Sequence, residues 1–363
     1  QLHPTYRVAK LNAAICLEKT GQYKKAAQVY EGLVKDYVED PSVFMAYGNA
    51  LLLSGQTGLA IEQFEKVITL DDKNLSAKNN LAAAYLRKGE GERSREFVKE
   101  VLAVQPDNVP ALINLGMYYQ SKKNMELALL MFNNALGHEN SKGKPIQTAE
   151  AAKNQGKAKG KKEAPVVKTK PGTPNPLILA RAHNNIGMTY FRMGVIPNAV
   201  HNFKKAVSFD PSMNEARMNL ASIFLDYLAY ENALKEFQKV LDSNPDHYEA
   251  MVGTADALYG TAKYKEAVTL FEKASRVRPS NLEAFNRLAE IYHKKLNDTS
   301  MAIKTYRRIQ SESGIASSDA AYKTVEQKIK SIEVEIQAAK QFEAEAKKQS
   351  AQPKAESPAE GTK

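Results

Sequence analysis

The sequence predicts an all-α fold: an array of about eight helical hairpins closed by a final capping helix. Three observations predict it. Residues recur at an interval of 34, as in Gly21, Gly55 and Gly89, in Ala199, Ala233 and Ala267, in Phe203, Phe237 and Phe271, and in Pro211, Pro245 and Pro279. Within each interval two apolar patterns at helical spacing flank a Gly or another turn residue. The composition, 43% hydrophobic and 25% charged with no apolar run long enough to span a bilayer, suits a soluble chain. A chain of 363 residues would ordinarily suggest two or three globular domains, but a repeat array escapes that expectation.

The units start near Arg7, Pro41, Leu75, Val109, Ala180, Asn214, Tyr248 and Leu282. The sixth shows the design. Leu220, Ala221 and Phe224 mark its first helix and Ala233, Phe237 and Val240 its second. Small residues let the two helices approach, and the large ones fill the space beside them. Pro245 cannot continue a helix, and it biases its predecessor away from the helical region, so the next unit begins there.

Period, small-residue positions and terminal Pro together resemble the tetratricopeptide repeat family over residues 7 to about 310, outside an insertion. Departures are the absence of Trp, Leu228 and Ala262 in place of the turn Gly, and one extra residue before Ala302 in unit eight. The resemblance implies a right-handed superhelical solenoid whose first helices line a concave face. It divides the chain into repeats 1–4 over 1–137, a loop at 138–176, repeats 5–8 over 177–310, a last helix over 318–349 and a tail at 350–363.

The insertion, HENSKGKPIQTAEAAKNQGKAKGKKEAPVVKTKPGTPNP, carries nine Lys and three Glu, more than half of the chain's net charge of +10. Lacking aromatics, it reads as a disordered basic loop. The second helix of unit four is apolar on more than one side through Leu127, Leu129, Leu130, Met131 and Phe132, so it needs a cover, and the first helix of unit five is the candidate. The two halves then form one continuous stack. Basic charge raises attraction to nucleic acid, anionic lipid or an acidic partner. With no aromatic to stack on bases and no Arg to fork onto phosphate, a solvated loop is the simpler reading.

After unit eight, Tyr322, Val325, Ile329, Ile332, Ile336 and Ala339 form a heptad-like seam. It either caps the last repeat or contacts another chain, so an oligomer through 322–346 stays open. The tail at 350–363 reads as disordered.

No phosphate-cradling loop, zinc-protease helix or serine-hydrolase elbow occurs, and no stretch outside the repeats could hold a transferase domain. No enzyme, cofactor or small-molecule substrate is expected. His183 and His201 fall on facing helices without an obvious third ligand, which favours packing over metal. The single Cys, Cys16, excludes a disulfide framework and reads as a small buried thiol.

Binding chemistry centres on a recurrent Asn. Asn12, Asn80, Asn114, Asn185 and Asn219 hold one place in units one, three, four, five and six, on the first helix, where the resemblance implies the concave face. An amide offers donor and acceptor, so such a column could pair with the backbone of an extended peptide. Equally, each Asn could bond to the neighbouring hairpin. The column stops at Gly253 and Arg287. There Glu215, Glu249 and Glu283 recur at 34, with Asp226, Asp256 and Glu290 expected on the same face, which would suit basic residues in a ligand. First-turn acids are also favoured by the helix dipole alone. The family's clamp for chaperone carboxyl-terminal tails needs Lys four residues before Asn. Here Met45 precedes Asn49 and no unit supplies the pair.

The expected function is a non-catalytic scaffold that holds an extended segment of a partner protein along the concave face. The alternative is a structural subunit assembling through its last helix and outer surface. Units seven and eight, YGTAKYKEAVTLFEKASRVRPSNLEAFNRLAEIYHKKLNDTSMAIKTYRRI, are similar to repeat proteins of bacterial cell-envelope machines of gliding motility and pilus assembly, which would place that alternative in the envelope. Compartment stays open between cytoplasm and bacterial periplasm or envelope, since a signal peptide or lipid-anchoring Cys would lie upstream of Gln1.

Overall fold

The computed structural model describes residues 4–137 and 175–350. Nearly all of the basic insertion and the tail beyond 350 lie outside the described residues, as do the expectations of disorder attached to them.

Among the described residues there are seventeen helices and no strand. They fall into two compact units, Gln1–Met213 and Asn214–Lys363. The first holds α1 (Pro4–Lys19), α2 (Tyr23–Asp36), α3 (Pro41–Leu53), α4 (Thr57–Leu70), α5 (Leu75–Lys88), α6 (Gly91–Val104), α7 (Val109–Ser121), α8 (Met125–Ala135), α9 (Pro176–Arg192) and α10 (Ile196–Phe209). The second holds α11 (Asn214–Asp226), α12 (Tyr230–Ser243), α13 (Tyr248–Gly260), α14 (Tyr264–Val277), α15 (Leu282–Lys294), α16 (Thr299–Glu312) and α17 (Ala320–Ser350).

Local chemistry sets where these helices begin. Asp40, Asn74, Asn108 and Asn175 cap α3, α5, α7 and α9 by accepting from the backbone N–H of Ser42, Ala77, Ala111 and Leu177. Pro41, Pro110 and Pro176 stand in the first helical positions, where a missing N–H costs nothing.

The turns inside the hairpins share one geometry. An N–H two or three residues past the helix end reaches back five residues, as in Gln22 to the Leu17 carbonyl (2.8 Å), Glu90 to Tyr85 (2.9 Å) and Ala229 to Phe224 (2.8 Å). The residue before it takes a left-handed backbone. Gly21, Gly55, Gly89 and Gly194 do so without strain, whereas Lys123, Leu228 and Ala262 adopt φ of 59°, 59° and 61° with a Cβ in place. In unit eight the left-handed residue is Asn297, one place late, which locates the extra residue in this turn. Because Leu228 is 67% exposed, replacing it removes no core. A left-handed L-residue costs about 1–2 kcal/mol, partly offset by the greater freedom of Gly in the unfolded chain. Leu228→Gly should therefore raise stability by about 0.5–1 kcal/mol, read as a higher urea midpoint at unchanged slope.

Close packing within hairpins rests on Gly against Phe. A Cβ at Gly48, Gly116 or Gly187 would come within 2.5, 2.4 and 2.8 Å of the rings of Phe64, Phe132 and Phe203. In the first unit, one core joins Tyr30, Leu51, Phe64 and Leu81 across α2 to α5, and the next joins Leu112, Met131 and Phe132 to Ala182 and Ile186 of α9. Thus the apolar second helix before the insertion packs against the first helix after it. Gln120 Nε2 adds a 3.0 Å bond to Thr189 Oγ1 there. Leu130 stays 42% exposed, so the excess apolar side of α8 is only partly covered.

In the second unit, Phe237 lies under Ala221, Ala250 and Ala257. Its ring also explains why the Asn column breaks at Gly253, where a Cβ would sit 2.3 Å from Phe237 Cζ. Arg217 of α11 is buried and bonds Glu236 of α12 at 2.7 Å, with Lys239 at 3.3 Å on the same carboxylate.

The helix α17 caps the last hairpin. Val325, Ile329 and Ile332 are buried against Phe285 and Ala289 of α15 and Tyr306 and Ile309 of α16. The first part of the heptad seam is therefore used within the chain. Farther along, Phe342 is 74% exposed.

Candidate functional site

The Asn residues have different surroundings. Asn12 is exposed, and Asn80 and Asn185 are half-buried. Asn114 is buried, at 4% exposure. In the second unit, Asn219 is half-buried. Asn80 Nδ2 donates to Asn49 Oδ1 (2.8 Å) and to Met45 Sδ (3.3 Å) on α3, and Asn114 Nδ2 donates to the Asn79 carbonyl (3.0 Å) on α5. Both amides thus tie one hairpin to the preceding one, as the structural reading allowed. Alanine at either position should accordingly cost stability, on the order of 1 kcal/mol per hydrogen bond.

The same residues open on a cleft. Asn79, Asn80 and Ala83 of α5, Pro110, Ile113 and Asn114 of α7, and Ile178 and Arg181 of α9 line a recess of about 60 Å³. Since the hydrogen bonds of Asn80 and Asn114 run from Nδ2, their Oδ1 atoms are what remains for an incoming N–H. Asn79 is the residue that sequence reasoning passed over. It directly precedes the recurrent Asn80 in the sequence, and its Nδ2 donates to the capping Asn108 Oδ1 at 3.0 Å. Its own Oδ1 is buried and has no hydrogen-bond partner among the described residues. Arg181 is exposed at the rim, and Ile113 and Ile178 supply apolar wall.

The acidic residues lie in the second unit, and cations meet several of them. Glu249 faces Arg278 at 2.6 Å, Asp256 faces Arg287 at 3.4 Å and Glu290 faces Lys294 at 2.8 Å. Glu215, Asp226 and Glu283 are exposed. A cleft of about 560 Å³ between α15 and α17 gathers Glu283, Glu290 and Glu335 together with Arg287, Lys294 and Lys328, a mixed surface rather than the acidic one expected. Across it, Lys328 Nζ donates to Asn286 Oδ1 (3.1 Å) and His293 Nε2 lies 2.8 Å from Glu335.

Burial raises the Asp256 carboxyl above its usual range, Arg287 opposes that rise, and Glu283 adds to it. Its ionised form is thus less favoured in the folded state than in the unfolded one. Stability contributed by the neutral form is lost as pH rises from the ordinary carboxylate value, about 4, through the raised value. Asp256→Asn should therefore be more stable than the parent at pH 7, with the difference vanishing below about pH 4, as followed by thermal melts across that range.

One further expectation is corrected. Cys16 is exposed rather than buried. His183 is packed in the core, as expected: it is buried, with Nδ1 2.9 Å from Asn202 Oδ1 and its ring stacked on Phe209.

Repeated capped hairpins, left-handed turns and Gly-on-Phe packing define a tetratricopeptide-type helical solenoid, a fold that mediates protein–protein interaction and is typically a non-catalytic scaffold. Tetratricopeptide repeat models match residues 11–74, 51–140 and 180–213, and a model described as the TT21 fifth ARM repeats domain matches 214–329. The protein CTR9 homolog of Arabidopsis thaliana is 24% identical over 117 residues, 31% of this chain and 11% of that protein. A chain in the crystal structure of the APC/C hetero-tetramer Cut9-Hcn1 superposes with a TM-score of 0.53 at 15% identity, over 76% of this chain and 47% of its own length. The pilF structure from Pseudomonas aeruginosa gives 0.48 at 16% identity, over 69% of this chain and 97% of that one. The chain thus spans a small part of the curated relative and under half of the first structural one. Among the described residues no helix is long and apolar enough to cross a membrane.

Proposed function

We propose that this protein holds an extended segment of a partner protein across the first helices of the first unit, centred on the cleft of α5, α7 and α9. One observation carries the reading: Asn79, Asn80 and Asn114, with Arg181, come together on one recess that has apolar walls. The amide oxygens accept backbone N–H groups irrespective of ligand sequence, Ile113 and Ile178 take an apolar side chain, and the buried Oδ1 of Asn79 gains a donor that the described chain does not provide. The neighbouring column members Asn12 and Asn185 extend the same surface. Basic residues in the ligand count for less than the sequence suggests, because Glu249, Asp256 and Glu290 already face cations.

Ala83 provides a test that spares every inter-hairpin bond. It is half-buried in the cleft wall, so Ala83→Arg fills the recess without removing an amide. Partner capture from the native cell, scored for proteins captured by the parent chain, should fall at least tenfold, about 1.4 kcal/mol, while helical content is retained. Undiminished capture would count against the reading.

A second reading is favoured by the exposed Phe342: a structural subunit assembling with another chain through the part of α17 beyond Ile336. The bacterial envelope setting belongs to this reading and is supported by the resemblance of units seven and eight.

A further inference from the structure

In the first helix of five of the eight hairpins one register position is aromatic, namely Tyr85, Tyr119, Tyr190, Phe224 and Tyr292, whereas α1, α3 and α13 have Leu17, Leu51 and Leu258 there. Four residues earlier on the same helix, Leu81, Leu115, Ile186, Leu220 and Leu288 find their counterpart in Thr254. Thus α13 is short at two adjacent positions on one side. The Thr254 hydroxyl is bonded to the Ala250 carbonyl at 2.7 Å.

The work of the aromatic is visible where it is present. Tyr85 reaches from α5 to α4 and donates its hydroxyl to Glu65 Oε1 at 2.9 Å, while its ring stacks on Phe97 of α6 at 5.9 Å beneath Arg93 at 5.5 Å. Tyr292 likewise reaches from α15 to α14 and donates to Glu272 Oε1 at 3.1 Å. The residues of α12 and α14 that stand where Glu65, Arg93 and Phe97 stand around Tyr85 are Gln238, Glu266 and Leu270. All three line an open cleft of about 560 Å³, together with Thr254 and Leu258. The slot that other hairpins fill with their own ring is open here, within the size range of ligand pockets.

We propose that this cleft takes an aromatic side chain, a tyrosine by preference, from a segment of a partner protein docking on the second helices α12 and α14. The ring lies against Leu258 and Leu270 as Tyr85 lies against Phe97. Its hydroxyl meets Gln238 as Tyr292 meets Glu272; Glu266 takes the place that Arg93 has beside Tyr85, and the cation comes instead from Lys235, elsewhere on the rim. This surface is separate from the amide cleft, so either can fail without the other.

The test uses N-acetyltyrosinamide as probe, with N-acetylleucinamide and N-acetylalaninamide as controls, titrated into the full chain while the methyl resonances of Thr254, Leu258 and Leu270 are followed. Saturable shifts at these methyls are expected, at least threefold tighter for the tyrosine compound than for either control. In Leu258→Tyr, where the chain's own ring closes the slot, the affinity should fall at least tenfold and the melting temperature should rise. Thr254→Leu narrows the same floor and carries the comparison should Leu258→Tyr not fold. The proposal is overturned if the three methyls do not respond, if the leucine compound binds as tightly as the tyrosine one, or if the filled variants bind like the parent.

Discussion

Phe237→Ala is expected to destabilise the second unit by about 3–5 kcal/mol, read in urea from the change in midpoint. The ring is 1% exposed and is touched from three helices: its own, α11 through Ala221, and α13 through Ala250 and Gly253. Collapse refills the space only in part, since Ala221, Ala250 and Gly253 face the ring while the longer side chains of Met218, Phe224, Leu234 and Leu241 are already packed against the same cluster. In an array whose hairpins shield their apolar sides only against neighbours, the loss should be local. Amide exchange should quicken throughout α11, α12 and α13, whereas the core of Phe285, Tyr306 and Ile329 at the far end keeps its protection. A loss below about 1 kcal/mol would mean that Phe237 is not the centre of that packing.

Glu236→Ala should cost a comparable amount, about 3–5 kcal/mol, for a different reason. The side chains of Arg217 and Glu236 are only 9% and 12% exposed, so removing the carboxylate takes from a guanidinium shut away from water the anion it bonds at 2.7 Å. The pair as such need not be stabilising, because desolvation of two charges offsets much of their attraction. The double variant Arg217→Met with Glu236→Leu should accordingly recover most of the loss, and the difference between single and double variants measures the uncompensated charge. By contrast, the exposed Lys35–Glu31 pair, at 71% and 53% exposure, should contribute at most about 1 kcal/mol.

Much of the fold could be read in the sequence because a repeat states each instruction several times. Pro41, Leu75, Val109, Asn214, Tyr248 and Leu282 all prove to be first residues of helices. Turn chemistry was less transparent. Lys123, Leu228 and Ala262 take a left-handed backbone that their residue types disfavour, since the surrounding helices hold them there and only the period marks the positions. For the site, the register of the Asn column is plain in the sequence, but the direction of each amide is not. Asn114 spends its N–H on the Asn79 backbone, and Asn79 becomes a wall of the cleft, through contacts about 34 residues apart that no local pattern encodes. The acidic column misleads for the same reason. Arg278, Arg287 and Lys294 come from other turns and neutralise it across hairpins or one helical turn on. The open slot over Leu258 lay in the period too, as a gap in an aromatic column, yet only the placement of Gln238 and Glu266 around it turns that gap into a cavity.

Photo-crosslinking in the native cell tests the proposed function most directly, with a benzoylphenylalanine introduced at Arg181 beside the amide cleft in one variant and at Phe342 on the last helix in another. Capture of one protein from position 181, mapped to a single short stretch of its chain and abolished by Ala83→Arg, is the result expected. Crosslinks from position 342 alone, with position 181 silent, would contradict a ligand-holding cleft and leave assembly through the last helix as the function.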